Sequence, residues 1–248
     1  MDKLLTALVS ARSGGPRVGA VEEPPSDLRH AYRIAEQLTA EVGRGEPAGW
    51  KVGATSEGAQ SFLGLTEPIY GRIYSGSVEP APAALSFQDG LEAEPEILFR
   101  MIDNLTALDC RTEEGARRAI ASVHVGLEVN RPSYERPFEA GALPIVADNA
   151  AHAGLVIGRE IEPAGYNDVS VAVSTGDAVV SEGHSSAVLG DPLRSVIWLA
   201  GELPAETSMS RAWIATGAMA RSVPFSPGST VIARFSSGGE VKARADRV

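Results

Sequence analysis

Leu91-Glu92-Ala93-Glu94-Pro95-Glu96-Ile97-Leu98-Phe99 runs from alternating acids straight into an apolar triplet. Side chains at i and i+2 of a strand share a face. Glu92, Glu94 and Glu96 therefore stack on one side, and Ile97-Leu98-Phe99 carries the strand into a core. Three carboxylates on one face repel one another unless solvent, a cation or a metal ion relieves them. Pro95 offers no amide hydrogen, which points to a sheet edge or a bulge. Taken alone, the segment reads as the solvated acidic end of a strand, because charge runs are mostly exposed.

Downstream, Val123-His124-Val125-Gly126-Leu127-Glu128-Val129 is a second β-type run, with one carboxylate in an apolar setting. If buried, Glu128 must be paired or metal-bound. As a lone residue it reads as half of a structural ion pair. Together with the first acidic run it supplies a third oxygen donor, and three carboxylates suit a hard cation such as Mg²⁺ or Mn²⁺.

Around these two runs the pattern predicts further strands at 69–74 and 155–158. Hairpins are expected at Thr175-Gly176-Asp177 and across residues 236–239. Helices are expected after Thr112 and after Asp191-Pro192. The first third reads as helical. Leu4, Leu5, Leu8 and Ala11 make one stripe. Leu28, Ala31, Ala35, Leu38 and Val42 make a second, with Ser26 as its cap and Gly43 as its stop. Ser56 caps a short third helix that ends at Gly64. There is no regular βαβ alternation, so the expected fold class is α+β: a helical N-terminal part, 1–68, packed on a mixed β-roll, 69–248, as one continuous unit.

Composition narrows the function. The net charge of −10 argues against a nucleic-acid partner, which needs a basic surface. It leaves an anionic small molecule open, because a bound cation reverses the local field. The single cysteine, Cys110, excludes an intramolecular disulfide and CxxC zinc sites. No apolar run reaches the roughly 18 residues of a membrane span. The N-terminal segment reads as an amphipathic helix rather than a signal peptide, so a cytoplasmic location is expected.

Other candidate groups are fewer. Lys51, in Gly49-Trp50-Lys51-Val52-Gly53, is an ammonium in an apolar, strand-like setting, where its pKa shifts readily. Beside a carboxylate-held metal it could stabilise an enolate or move protons; its bland role is a packed stem with a solvated tip. Ala147-Asp148-Asn149-Ala150 reads as a turn that could also orient a water or a ligand. Thr216-Gly217 follows an apolar run and offers a hydroxyl and free amides to a carboxylate, or is simply a tight turn. The four histidines show no HExxH spacing, and there is no GxSxG, Walker A or GxGxxG motif.

The segments AYRIAEQL, GWKVGATS, LGLTEPIYGRIY, EPEILF, GLEV, ADNAAHAGLVIG, LGDPLRSVIWLA and TGA, in this order, resemble the 2-keto-4-pentenoate hydratase branch of the fumarylacetoacetate hydrolase superfamily. The resemblance implies that superfamily's mixed β-roll and a divalent metal on Glu94, Glu96 and Glu128, with Glu92-Ala93-Glu94 as the other register of the ExE pair. It makes Lys51 the catalytic lysine and gives Asp148 the attacking water. Asn149, Thr216, Gly217 and Arg221 would meet a small 2-oxo acid. The implied reaction adds water to a 2-hydroxy-2,4-dienoate, in aromatic-compound catabolism, in a homo-oligomer. A decarboxylase resembling 4-oxalocrotonate decarboxylase is the nearest alternative, ahead of a C–C hydrolase or a non-catalytic acid binder anchored by Arg221. The chain departs from the family at Ala151 and His152 after ADNA, at Asp191 in LGDP, and at Met219-Ala220-Arg221-Ser222 after TGA.

Overall fold

A computed structural model describes residues 2–42 and 45–247. The chain opens with α1 (Lys3–Arg12), whose buried stripe is Leu4, Leu5, Leu8 and Ala11. Helix α2 (Leu28–Val42) buries Ala31, Ile34, Ala35 and Leu38. Its cap is Asp27 rather than Ser26: Asp27 Oδ1 accepts from His30 N at 2.8 Å, whereas the Ser26 hydroxyl contacts Asp27 Oδ2 and the His30 ring. Gly43, the expected stop, lies outside the described residues. Strand β1 (Pro47–Gly53) follows, then α3 (Glu57–Leu63), capped by Ser56 and closed by left-handed Gly64.

The sheet-forming part begins with β2 (Ile69–Tyr74), β3 (Val78–Pro80), β4 (Ala83–Ser86) and β5 (Glu92–Met101). Next come α4 (Glu113–Arg118) and β6 (Ile120–Asn130), then the short helices α5 (Pro137–Ala140) and α6 (Ala142–Ala147). Thr112 caps α4 through Gly115 N. Strands β7 (His152–Ile161), β8 (Ser170–Thr175) and β9 (Ala178–His184) lead to α7 (Leu193–Glu202). Asp191 Oδ1 accepts from Leu193 N at the start of α7. The last strands are β10 (Trp213–Ala215), β11 (Val223–Pro224), β12 (Thr230–Phe235) and β13 (Glu240–Asp246). Both expected hairpins, β8–β9 and β12–β13, are formed.

Two mixed sheets pack on one another. The larger runs β2-β1-β10-β5-β6-β7-β3, with β11 also on β5; the smaller runs β4-β13-β12-β8-β9. Odd-numbered residues of β5 and β6, among them Ile97, Phe99, Val125 and Leu127, enter the main core with Val173, Val231, Val241 and Leu199. Burying each such side chain contributes about 1.5–3 kcal/mol. Helices α1, α2 and α6 form a second cluster around Leu8, Ile34, Leu38 and Tyr134.

Strand β1, from within residues 1–68, sits between β2 and β10 in the larger sheet. One sequence expectation changes here. Pro95 lies on an interior strand, paired with Leu127 of β6. On its other side β10 pairs only with residues 98–100 and β11 only with 92–93. Pro95 faces the gap between them, where its carbonyl accepts from Met219 N, so no ladder bond is missed.

Candidate metal centre and active site

The even-numbered residues of β5 and β6 point away from the main core. Glu94 and Glu128 are cross-strand partners, and Glu96 opposes Gly126. One carboxylate oxygen from each of Glu94, Glu96 and Glu128 lies within 4.8 Å of the others. Glu96 and Glu128 are fully buried. Glu92 is set apart, accepting from Ser222 Oγ at 2.8 Å. The cluster thus takes the Glu94-Pro95-Glu96 register rather than Glu92-Ala93-Glu94.

Each carboxylate is gripped by the protein on one oxygen. Glu94 Oε2 accepts from Asn130 Nδ2 at 2.9 Å, and Glu96 Oε2 from Gly217 N at 2.9 Å. Glu128 Oε1 lies 3.2 Å from both Lys51 Nζ and His152 Nδ1. Glu96 Oε1 and Glu128 Oε2 are buried without a partner among the described residues. A buried polar atom left unpaired costs about 1–3 kcal/mol, more for a charged group. Two such oxygens facing a third carboxylate form a hard-oxygen set that fits a divalent cation.

Electrostatics agrees. Burial pushes the Glu94 carboxyl up to about 7; Lys51 pulls it down, while Glu128 and Glu92 add to the rise. Burial, then Glu128 and Glu94, hold Glu96 well above the usual carboxylate range. Burial also acts to raise Glu128, but Lys51 and His152 outweigh it and hold it low. Lys51 is pulled down by burial, yet the three carboxylates hold it above its ordinary value, so it is an ammonium at rest. Burial and mutual repulsion thus oppose ionisation of Glu94 and Glu96, and a divalent cation would favour their charged forms.

Lys51 reaches the cluster from β1 and also donates to Asn130 Oδ1 at 3.2 Å. Asn130 therefore links the lysine to Glu94. Sequence reading passed over Asn130, although its i+2 spacing from Glu128 places both on one strand face.

The other expected site residues are occupied in supporting the backbone. Asp148 is fully buried, and Arg12 Nε, Ser133 Oγ and Ser133 N donate to its carboxylate at 2.6–2.8 Å. The Asn149 amide clasps the backbone N and O of Arg72 at 2.7 and 3.0 Å. Thr216 Oγ1 donates to Ile97 O at 2.8 Å. Arg221 is exposed, and its carbonyl accepts from Ser181 Oγ. Gly217 touches the acid cluster directly. Its φ of +124° is strained for an L residue, and a Cβ there would collide with Thr55.

Asn149, Ala150 and Ala151 are three successive left-handed residues, with φ of 54°, 49° and 62°. Such conformations persist only when their surroundings over-determine them. The Asp148 and Asn149 clasps do so, and this knot seats His152 as the first residue of β7. Arg12 completes the support by donating to Asp148 O and His152 O at 2.8 and 2.7 Å. Its signal in the sequence was a charge four residues past Leu8, continuing a buried helical stripe.

A curled mixed-sheet fold with a buried triple-carboxylate cluster beside a lysine is similar to the metal-complexed enzymes of the fumarylacetoacetate hydrolase superfamily. The chain resembles the 2-keto-4-pentenoate hydratase family over nearly its whole length; it is an enzyme, a lyase similar to those hydratases. No family model matches the chain. The 2-keto-4-pentenoate hydratase of Burkholderia vietnamiensis is 29% identical over 252 residues, covering 95% of this chain and 94% of that protein. A 4-oxalocrotonate decarboxylase of Pseudomonas sp. is 29% identical, covering 82% and 81%. Among solved structures, 4-oxalocrotonate decarboxylase from Pseudomonas putida, complexed with magnesium and adipate, superposes with a TM-score of 0.85 at 25% identity, covering 98% of this chain and 95% of that one. Fumarylpyruvate hydrolase from Pseudomonas aeruginosa, in complex with Mn²⁺ and pyruvate, shares the fold at a TM-score of 0.58 and 14% identity, covering 80% and 89%. No helix among the described residues is long and apolar enough to cross a membrane.

Proposed function

We propose that the chain adds water to a 2-hydroxy-2,4-dienoate, through its 2-oxo-3-enoate tautomer, to give a 4-hydroxy-2-oxo acid. The observation that carries this reading is Lys51 buried at 3.2 Å from Glu128, in a centre where Glu96 and Glu128 each keep one oxygen unpaired. Glu94, Glu96 and Glu128 would hold Mg²⁺ or Mn²⁺. A divalent ion there supplies positive charge for the substrate carboxylate and 2-oxygen, and Lewis acidity toward an enolate.

Lys51 is the proton-moving group. The enol O–H loses its proton and C5 gains one; then water adds its oxygen at C4 and a proton at C3. Lys51, with its ammonium held among acids, stabilises the negative 2-oxygen through these transfers. Gly217 N–H fixes Glu96, and Asn130 couples Lys51 to Glu94. Asp148 and Asn149 act through the backbone they clasp. Thr216 holds the adjoining loop. Arg221 has no assigned part. The hydratase resemblance also carries the expectations of a cytoplasmic homo-oligomer in aromatic-compound catabolism.

The test is a panel of 2-hydroxydienoates and 2-oxo acids with Mg²⁺ or Mn²⁺, following dienol absorbance and CO₂ together. Dienol loss without CO₂ is expected. Stoichiometric CO₂ would replace the hydratase with a decarboxylase, and metal-dependent binding without turnover would replace it with a binder.

A further inference from the structure

His152 is a departure from the family pattern within ADNAAHAGLVIG, yet it is buried against a carboxylate of the acid cluster. Its Nδ1 lies 3.2 Å from Glu128 Oε1. Its Nε2 lies 3.1 Å from Ser77 Oγ, which is also 2.8 Å from Tyr74 O. A carboxylate oxygen only accepts, so Nδ1 carries the hydrogen of the Glu128 contact. Nε2 then accepts, and the one Ser77 hydroxyl hydrogen is shared between Nε2 and Tyr74 O. The imidazole is thus contacted at both ring nitrogens, and Arg12 holds the backbone carbonyl of His152.

Glu128 Oε1 receives two donors, Lys51 and His152, whereas Glu94 Oε2 and Glu96 Oε2 receive one each. Two donors on one oxygen fix the carboxylate in direction and leave its other oxygen pointing one way. We propose that His152 is a positioning residue: with Lys51 it holds Glu128 Oε1 so that Oε2 stays presented to the metal. This rests on the metal reading above. It also gives the Ala151-His152 departure from the family sequence a purpose, as an added buried donor.

The experiment measures Mn²⁺ affinity by calorimetry and Mn²⁺ electron paramagnetic resonance, with circular dichroism to verify folding. It compares the unaltered chain with His152→Leu, His152→Asn and Lys51→Met. Loss of an outer donor to a metal ligand weakens affinity by about 10- to 100-fold. His152→Leu is expected to show that loss. His152→Asn, which can keep a donor at the Nδ1 position, should stay within about threefold of the unaltered chain by the same measure. At saturating Mn²⁺, His152→Leu should regain turnover, while Lys51→Met should stay inactive yet bind Mn²⁺. Should His152→Leu not fold, Ser77→Ala serves instead: it frees the far ring nitrogen and should weaken Mn²⁺ by several-fold. If the unaltered chain binds Mn²⁺ and folded His152→Leu binds it equally well, the inference fails alone. Equal weakness of folded His152→Asn and His152→Leu overturns it too. If the unaltered chain does not bind Mn²⁺, the metal reading itself falls, and this inference with it.

Discussion

Glu96 is the residue on which the metal reading is most exposed to test. It is fully buried, one oxygen is tied to Gly217 N, and the other is unpaired. Glu96→Ala should abolish Mn²⁺ binding in titration calorimetry; normal binding would remove the proposed ligand set. Glu94 governs pH dependence. Burial first, then its acidic neighbours against the pull of Lys51, put its carboxyl at about 7 from an ordinary 4.5. A carboxyl raised in the folded state favours folding while protonated. Its contribution in the metal-free protein is therefore full below about 4.5 and is lost as pH rises through about 7. Metal binding needs Glu94 and Glu96 both ionised, so Mn²⁺ affinity should fall as pH drops, by at least about tenfold per pH unit below that value. Affinity that stays flat between pH 5 and 8 would contradict the charge arrangement. The raw ingredients, Lys51, Glu94, Glu96 and Glu128, were legible in the sequence because strand periodicity and an apolar setting mark buried charges. Their individual oxygens were not, since hydrogen-bond partners such as Asn130 and His152 come from other positions and other strands.

Secondary elements act on the site mainly by holding backbone. The buried pair between Arg12 of α1 and Asp148 ties the first helix to the left-handed knot before β7. Arg12→Ala would strand a buried carboxylate, and breaking such a pair by one partner costs about 3–5 kcal/mol. Denaturant unfolding should show a loss in that range, with a weaker metal site because His152 O also loses its donor. A loss below about 1 kcal/mol would place the pair among those that contribute little. Gly217→Ala makes a second test. Its φ of +124° and the approach of Thr55 leave no room for a Cβ. A strained backbone of this kind costs about 1–3 kcal/mol, and a backbone shift to make room would move the amide that Glu96 accepts from. Melting temperature and Mn²⁺ affinity should fall together. The helix stripes and hairpins were readable because their periods are local. The α2 cap was misassigned by one residue because Ser26 and Asp27 are both good caps, and only the position of His30 N selects Asp27.

Across the whole molecule, the two sheets place an apolar face of β5 and β6 in the core and the acidic face in a buried, polar chamber. The fold thus carries a standing electrostatic cost at its centre. A bound cation relieves it and, binding only the folded chain, stabilises it by about 2.7 kcal/mol at 100 times its dissociation constant. Mg²⁺ should raise the melting temperature in a concentration-dependent way, more steeply at pH 8 than at pH 5, and a chelator should reverse it. A melting temperature indifferent to Mg²⁺ and Mn²⁺ would mean that the acidic chamber is satisfied without an ion.

What the sequence alone determined were the properties carried by short periods and local chemistry: strands and hairpins, helix stripes, the α+β class, and a set of acids and one lysine whose local signal favoured solvated roles until the family resemblance joined them. The tertiary structure decided how these meet. Nothing local could say that β1 is inserted between β2 and β10, that Pro95 faces a gap between β10 and β11, or that Asp148 is taken up by Arg12 and Ser133. Those outcomes depend on contacts between residues far apart in the chain, 136 positions for Arg12 and Asp148 and more for the β1–β10 pair Gly49 and Trp213. A carboxylate's role follows from which donors reach its oxygens, and only the folded chain brings those donors into place.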